Sequence, residues 1–208
     1  MKVVFATGNK GKIREIEAVY EGTGIEIISM KDAGISVSID ENGKAFADNA
    51  LIKARTVHDA IAQAMESGEY ADDEMPVVMA DDSGLVVDAL GGEPGVYSAR
   101  YMGEETSYDI KNAEIIRRVE GLAGSERSAR FTAVIAAVLP DGRELTAEAH
   151  MEGEIAYEPA GENGFGYDPI LYLPGYGMTS AQLPSEEKNR ISHRGKGLRM
   201  MRELLEKS

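Results

Sequence analysis

The chain of 208 residues contains no cysteine and no tryptophan, and only three histidines. Without cysteine there are no disulfide staples, no thiolate zinc site and no cysteine nucleophile, and the chain suits a reducing, cytoplasmic setting. Long apolar runs are also missing. The longest, Ala133–Leu139, is seven residues, where a membrane-spanning helix needs about 20. The opening residues Met1 to Gly8 hold too short an apolar stretch for a secretory signal. Positive charge is scarce as well: 22 basic residues face 36 acidic ones, for a formal net charge of −14. That balance argues against nucleic acid and anionic lipid as partners. A soluble cytoplasmic protein with neither a membrane nor a nucleic-acid partner is expected.

What is present points to an ordinary packed core. Apolar residues make up 43% of the chain, interspersed with charges of both signs, which excludes a disordered tail or a fibre. The length suits one domain spanning residues 1–208. The bases are unevenly spread. Lys2, Lys10, Lys12 and Arg14 occupy residues 1–14 with no acid among them, and residues 185–208 hold seven more bases against four glutamates. Half of the basic residues therefore lie at the two ends. Either this is a solvated helix face and chance, or it is a local positive site for a small, highly charged anion.

Periodicity gives a coarse map. Lys2–Thr7 reads as a buried strand, and a Gly-Asn turn then leads to an amphipathic helix from about Gly11 to Tyr20. Ile25–Ser29 and Ile35–Ile39 read as strands, the second by strict alternation. Lys44–Met65 carries one apolar stripe, Phe46, Ala50, Ala54, Val57, Ile61 and Met65, and is expected to be a long helix. Gly68–Met75 is an acidic surface loop, Val77–Ala80 a short strand and Leu85–Leu90 another. Ser107–Val119 is a helix. Arg130–Leu139 and Glu144–His150 form a hairpin around Pro140-Asp141-Gly142-Arg143, which Glu154–Glu158 continues. Ser192 caps a final helix ending near Lys207. Early alternation of helix and strand followed by antiparallel strands predicts an α/β fold with a mixed sheet.

Four segments hold candidate chemistry. Thr7-Gly8-Asn9-Lys10-Gly11-Lys12 lies between a strand and a helix, where free N–H groups, the helix dipole and Lys12 would cradle phosphate. It is not a Walker A loop, since its spacing is too short and Ile13 follows; a plain strand-to-helix turn stays open. Ala80-Asp81-Asp82-Ser83-Gly84 ends an apolar strand in adjacent carboxylates, which are costly to bury unless something positive sits beside them. Oxygen donors without cysteine favour Mg²⁺ over zinc, with Asp40-Glu41 as a further ligand pair or as mere helix-dipole partners. A simple Asp/Ser/Gly turn is the alternative. In Gly161–Pro169, glycines flank Phe165 and leave its ring open for stacking on a heterocycle, while Asp168 could accept from ring N–H groups; an aromatic core plug is the other reading. Finally, His193 and Arg194 follow Ser192 into the first turn of a helix. Cations there oppose the helix dipole, the kind of local conflict that marks function.

These segments, with Gly91–Tyr101 (GGEPGVYSARY), resemble the inosine triphosphate pyrophosphatase family of non-canonical purine nucleotide pyrophosphatases. The matching stretches, TGNKGK, ADDSGL, GGEPGVYSARY, GFGYDP and EEKNRISHRG, fall in the family's order and span nearly the whole chain. The resemblance implies an elongated mixed β-sheet with flanking helices, in two lobes around a central cleft, and a homodimer. It implies Mg²⁺-dependent hydrolysis of ITP, dITP and XTP to the nucleoside monophosphate and pyrophosphate. It makes Thr7, Gly8, Asn9, Lys10, Gly11 and Lys12 phosphate-binding, with Lys12 and Asp82 catalytic, Asp82 as general base and metal ligand, and Ser83 a substrate contact. Phe165, Gly166, Tyr167 and Asp168 become base- and sugar-binding, completed by Lys188, His193 and Arg194. The metal ligands would be Asp82 and Asp81 with Asp40 or Glu41. The stretch 62–75 looks longer than is usual in the family and is expected to be a surface loop.

Overall fold

The computed structural model describes residues 1–208, apart from the side chain of Lys10. Its strands are β1 (Lys2–Phe5), β2 (Glu26–Ser29), β3 (Val77–Val87), β4 (Ser128–Val138), β5 (Glu144–Ile155), β6 (Leu171–Leu173) and β7 (Met178–Thr179). The helices are α1 (Lys10–Tyr20), α2 (Phe46–Glu66), α3 (Tyr108–Arg118), α4 (Ser185–Ile191) and α5 (His193–Leu205). The strands form one open, mixed sheet in the order β2-β1-β3-β4-β5-β6-β7. β1 pairs in parallel with β2 and with β3. β6 pairs antiparallel with β5 and with β7. No helix among the described residues is long and apolar enough to cross a membrane.

The chain divides into two compact units. Unit one comprises Met1–Asp82, Ala133–Glu148 and Arg194–Ser208. Here β1 is buried on both faces, as parallel strands covered by helices must be. Val3 and Phe5 pack with Ile16 and Tyr20 of α1 and with Leu198 and Met201 of α5. Val4 and Ala6 face the other way, onto Ala50, Ala54, Val57 and Ile61 of α2. The expected apolar stripe of α2 is thus its buried face. The Tyr20 hydroxyl, donating to the Leu198 carbonyl at 3.0 Å, ties α1 to α5.

Unit two comprises Ser83–Thr132 and Ala149–His193, with a core of Leu85, Val87, Ile115, Val119, Phe131, Ile155, Ile170 and Leu171 among others. Its buried Arg127 spends its guanidinium on the carbonyls of Val119, Leu122, Ile155 and Ala156. One side chain thereby satisfies the trailing carbonyls of α3 and the end of β5.

Three expectations are corrected. Residues 35–39 form no strand; Ile35 is buried in the α2 cluster with Val37 and Ile39 packed against it. Alternation there reports one buried face, which does not require a hydrogen-bonded neighbour. Val77–Ala80 and Leu85–Leu90 are not two strands around a turn: β3 runs unbroken through Asp81-Asp82-Ser83-Gly84 to Val87. Residues 62–66 are the last turn of α2 rather than loop, and the acidic stretch follows them. β6, β7 and α4 are too short to show a period in sequence.

Candidate active site

Unit one gathers charge around the middle of β3. Asp81 and Asp82 are 1% and 8% exposed, so both carboxylates need compensation. Asp81 Oδ1 accepts from Lys12 Nζ of α1 at 2.9 Å, and its Oδ2 from Arg194 Nε of α5 at 3.1 Å. Arg194 also pairs with Glu15 of α1. Burial pushes the Asp81 carboxyl up, but Lys12 and Arg194 outweigh it and hold Asp81 well below the usual aspartate range. Burial likewise draws the Lys12 ammonium below the usual lysine range, against the pull of Asp81. The conflict read at the start of α5 is thereby explained: two carboxylates satisfy Arg194.

Asp82 points into a second network. Its Oδ1 accepts from Lys53 Nζ of α2 at 2.9 Å, and the same ammonium donates to Glu41 Oε2 at 2.8 Å. Asn49 Nδ2 reaches Asp82 Oδ2 at 3.3 Å, while Asn49 Oδ1 accepts the Gly43 N–H at 2.8 Å. Burial holds the Asp82 carboxyl above the usual aspartate range even with Lys53 beside it. Asp40, by contrast, is exposed and accepts from Asn42 Nδ2 at 3.0 Å. Of the acidic pair, Glu41 is the member that shares a cation with Asp82.

The glycine-bearing turn before α1 differs from expectation. Asn9 is the N-cap, and its Oδ1 accepts from Gly11 N at 2.8 Å and Lys12 N at 3.2 Å. The expected free N–H groups are therefore held by a side chain, because asparagine is among the best N-caps. Thr7 Oγ1 accepts the Asn9 N–H. Gly8 is exposed, and the side chain of Lys10 lies outside the described residues.

Unit two holds the remaining candidates. Asp168, 3% exposed, accepts on Oδ2 from Lys188 Nζ at 2.7 Å and from the Phe165 N–H at 2.9 Å, and on Oδ1 from the Ser180 hydroxyl at 2.8 Å. A Cβ on Gly164 would lie 2.2 Å from Asp168 Oδ2 and 2.8 Å from Lys188 Nζ, so only glycine fits beside that pair. Phe165 is 40% exposed, with the Lys188 ammonium 5.4 Å from its ring centre. It is no core plug. Tyr167 is: its ring is buried edge-on against Tyr108, and its hydroxyl donates to the Ser98 carbonyl at 2.8 Å. His193 is 7% exposed and stacks on Phe131 at 4.9 Å. Ser83 lies half-buried in β3.

Sequence reasoning missed Glu15, Asn49 and Lys53. A signal for two of them exists: Asn49 and Lys53 lie four apart among the apolar stripe positions of α2, on a face where polar residues need a partner. Among the described residues no three carboxylates or imidazoles converge to hold a metal. Two carboxylates, Asp82 and Glu41, already flank one cation, the Lys53 ammonium. Hard oxygen donors in that number fit Mg²⁺, which keeps several waters and shares substrate phosphates rather than filling a protein cage.

Comparison with known proteins follows the same lines. The dITP/XTP pyrophosphatase of Desulforamulus reducens is 45% identical over 99% of this chain and 96% of its own length. The dITP/XTP pyrophosphatase of Bacillus subtilis is 40% identical over 99% and 97%. Among solved structures, a HAM1 protein from Coxiella burnetii matches with a TM-score of 0.83 at 36% identity, covering 100% of both chains. The Staphylococcus aureus Ham1 protein matches with a TM-score of 0.82 at 34% identity, covering 99% and 98%. Residues 3–204 match the Ham1 family. The open mixed sheet, the paired ion networks on β3 and these full-length matches place one conclusion beyond the motifs: this chain belongs to the Ham1 family.

Proposed function

We propose that this chain hydrolyses non-canonical purine nucleoside triphosphates, ITP, dITP and XTP, to the nucleoside monophosphate and pyrophosphate, acting in the cytoplasm as a homodimer. The relatives named dITP/XTP pyrophosphatase supply the substrate class. The observation that carries the chemistry is the double network on β3, with Asp81 gripped by Lys12 and Arg194, and Asp82 sharing Lys53 with Glu41.

Charge arithmetic decides what the site needs. Among the described residues the bonds join four carboxylates (Glu15, Glu41, Asp81, Asp82) to three cations (Lys12, Lys53, Arg194). A triphosphate brings roughly four further negative charges, which three cations already engaged with carboxylates do not offset. Asp82 and Glu41 would hold Mg²⁺. That ion, when bound, supplies Lewis acidity toward water and phosphate oxygens.

Lys12 and Arg194 then turn from Asp81 toward phosphate oxygens, and Asp81 keeps both side chains oriented between turnovers. Asp82 takes the proton of the attacking water as it adds to the α-phosphorus, and pyrophosphate leaves. Its carboxylate is placed to accept that proton from a water made more acidic by the bound ion. Phe165 offers its exposed face to the purine. Lys188, beside that ring, supplies an N–H donor for a 6-oxo group, which a 6-amino purine cannot accept. Asp168 sets the loop and Lys188 rather than meeting the base directly.

The test is purified protein with Mg²⁺ and a panel of nucleotides, reading pyrophosphate and orthophosphate separately. Pyrophosphate from ITP, dITP and XTP, with little from ATP, is expected. Release of orthophosphate alone would overturn the bond assignment, and preference for modified pyrimidine triphosphates would overturn the substrate class.

A further inference from the structure

α3 supplies nothing to the ion networks, yet one of its side chains holds the loop that carries Phe165. Asn112 is 3% exposed, and its Nδ2 donates to the Gly166 carbonyl at 3.1 Å. A carbonyl only accepts, so the amide NH₂ must face it. The other end of the same amide, Oδ1, is buried with no hydrogen-bond partner. An unpaired buried acceptor costs stability that an apolar side chain of similar size would not. Packing alone therefore does not account for an asparagine here; the bond to Gly166 does.

That bond falls on the loop's most pliable stretch. Gly164 and Gly166 have φ of +80° and +69°, so the peptides on either side of Phe165 lack the steric restraint of a side chain. The Phe165 N–H is fixed by Asp168, and the Tyr167 hydroxyl by Ser98. Between those anchors the Gly166 carbonyl has Asn112 as its donor. One turn earlier on α3, Tyr108 packs against Tyr167 with ring centres 5.2 Å apart.

We propose that Asn112 is a positioning residue for nucleobase recognition: by holding the Gly166 carbonyl it sets the orientation of the Gly164–Asp168 loop, and with it the face of Phe165 and the reach of Lys188. The link to the base rests on the function proposed above, whereas the hold on the loop does not.

The experiment has two arms. Amide hydrogen exchange of residues 165–168, without nucleotide, reads the loop directly; steady-state kinetics with ITP and ATP read its consequence. Asn112→Asp replaces the donor by an acceptor at constant shape, and Asn112→Ala removes donor and orphan oxygen together. Ile116→Ala is the control, since Ile116 packs the next turn of α3 onto the core of unit two. In both Asn112 variants exchange at 165–168 should quicken about tenfold. KM for ITP should rise about tenfold with kcat within about twofold, and the ITP-to-ATP ratio of kcat/KM should fall. Ile116→Ala should lower Tm and leave those readouts at wild-type values. Unchanged exchange, a fall in kcat at constant KM, or the same selectivity loss in Ile116→Ala would each overturn the proposal. So would failure of both Asn112 variants to fold, which makes the residue purely structural. A wild-type protein that releases no pyrophosphate from any nucleotide would overturn the proposed function, and the exchange arm would still decide whether Asn112 holds the loop.

Discussion

Asp81 in unit one and Asp168 in unit two are both carboxylates withdrawn from solvent beside cations, but their company differs. Asp168 takes one ammonium, one hydroxyl and one backbone N–H, all within its own unit. Asp81 takes two cations, one of which is also claimed by Glu15, and its neighbour Asp82 competes with Glu41 for Lys53. The first arrangement has one partner for each need and behaves as a bracket. In the second, Lys53 and Arg194 each serve two acids, so either can leave one acid and keep the other. A buried charge with its full set of partners fixes geometry; of the two shared cations, Arg194 is the one proposed above to meet phosphate.

The sharpest way to break that contrast is Asp82→Asn. Removing the proposed base should lower kcat by about 10²- to 10⁴-fold with circular dichroism unchanged, and near-normal turnover would place the chemistry elsewhere. Phe165→Ala comes next. Loss of the proposed base-stacking ring, worth about 1–3 kcal/mol, should raise KM for ITP by roughly 5- to 160-fold with little change in kcat; an insoluble variant would show that the ring supports the fold after all. The smallest effect is on acid stability. Asp81 has its folded pKa depressed below the unfolded value of about 3.9. Its ionised form therefore contributes stability that is complete above that value and is lost as pH falls through the folded pKa. Urea titrations should find Asp81→Asn less stable than wild type at pH 7, with the gap closing as pH drops below about 4. A gap that persists in acid would mean Asp81 acts through shape rather than charge.

Much of this architecture was legible. The long helix, the first strand and helix, the hairpin around Asp141-Gly142 and the start of α5 follow from apolar period and turn chemistry, and the structure places them within a few residues of expectation. The break expected at Asp81-Asp82 was misplaced for a physical reason. Two aspartates and a glycine read as a turn only while their compensating cations are unknown, and those come from residues far away in sequence. Lys12 and Arg194 were identified as cations but their common partner, Asp81, was not deducible from spacing. Lys53 was hidden in plain view on the apolar face of α2. Asn112 carried no signal, because a single amide in a helix reads as solvent-facing until its burial is known.

The Asn9 side chain at the head of α1 has one further consequence. Because its carboxamide oxygen already occupies the Gly11 and Lys12 amides, an arriving phosphate exchanges one acceptor for another there and gains few new contacts from the turn itself. In the phosphate role proposed above for Lys12 and Arg194, affinity then scales with the charge the ligand offers those two heads. By that rule a triphosphate is held more tightly than the monophosphate it yields, and of the two products of the proposed reaction pyrophosphate is the one slower to depart.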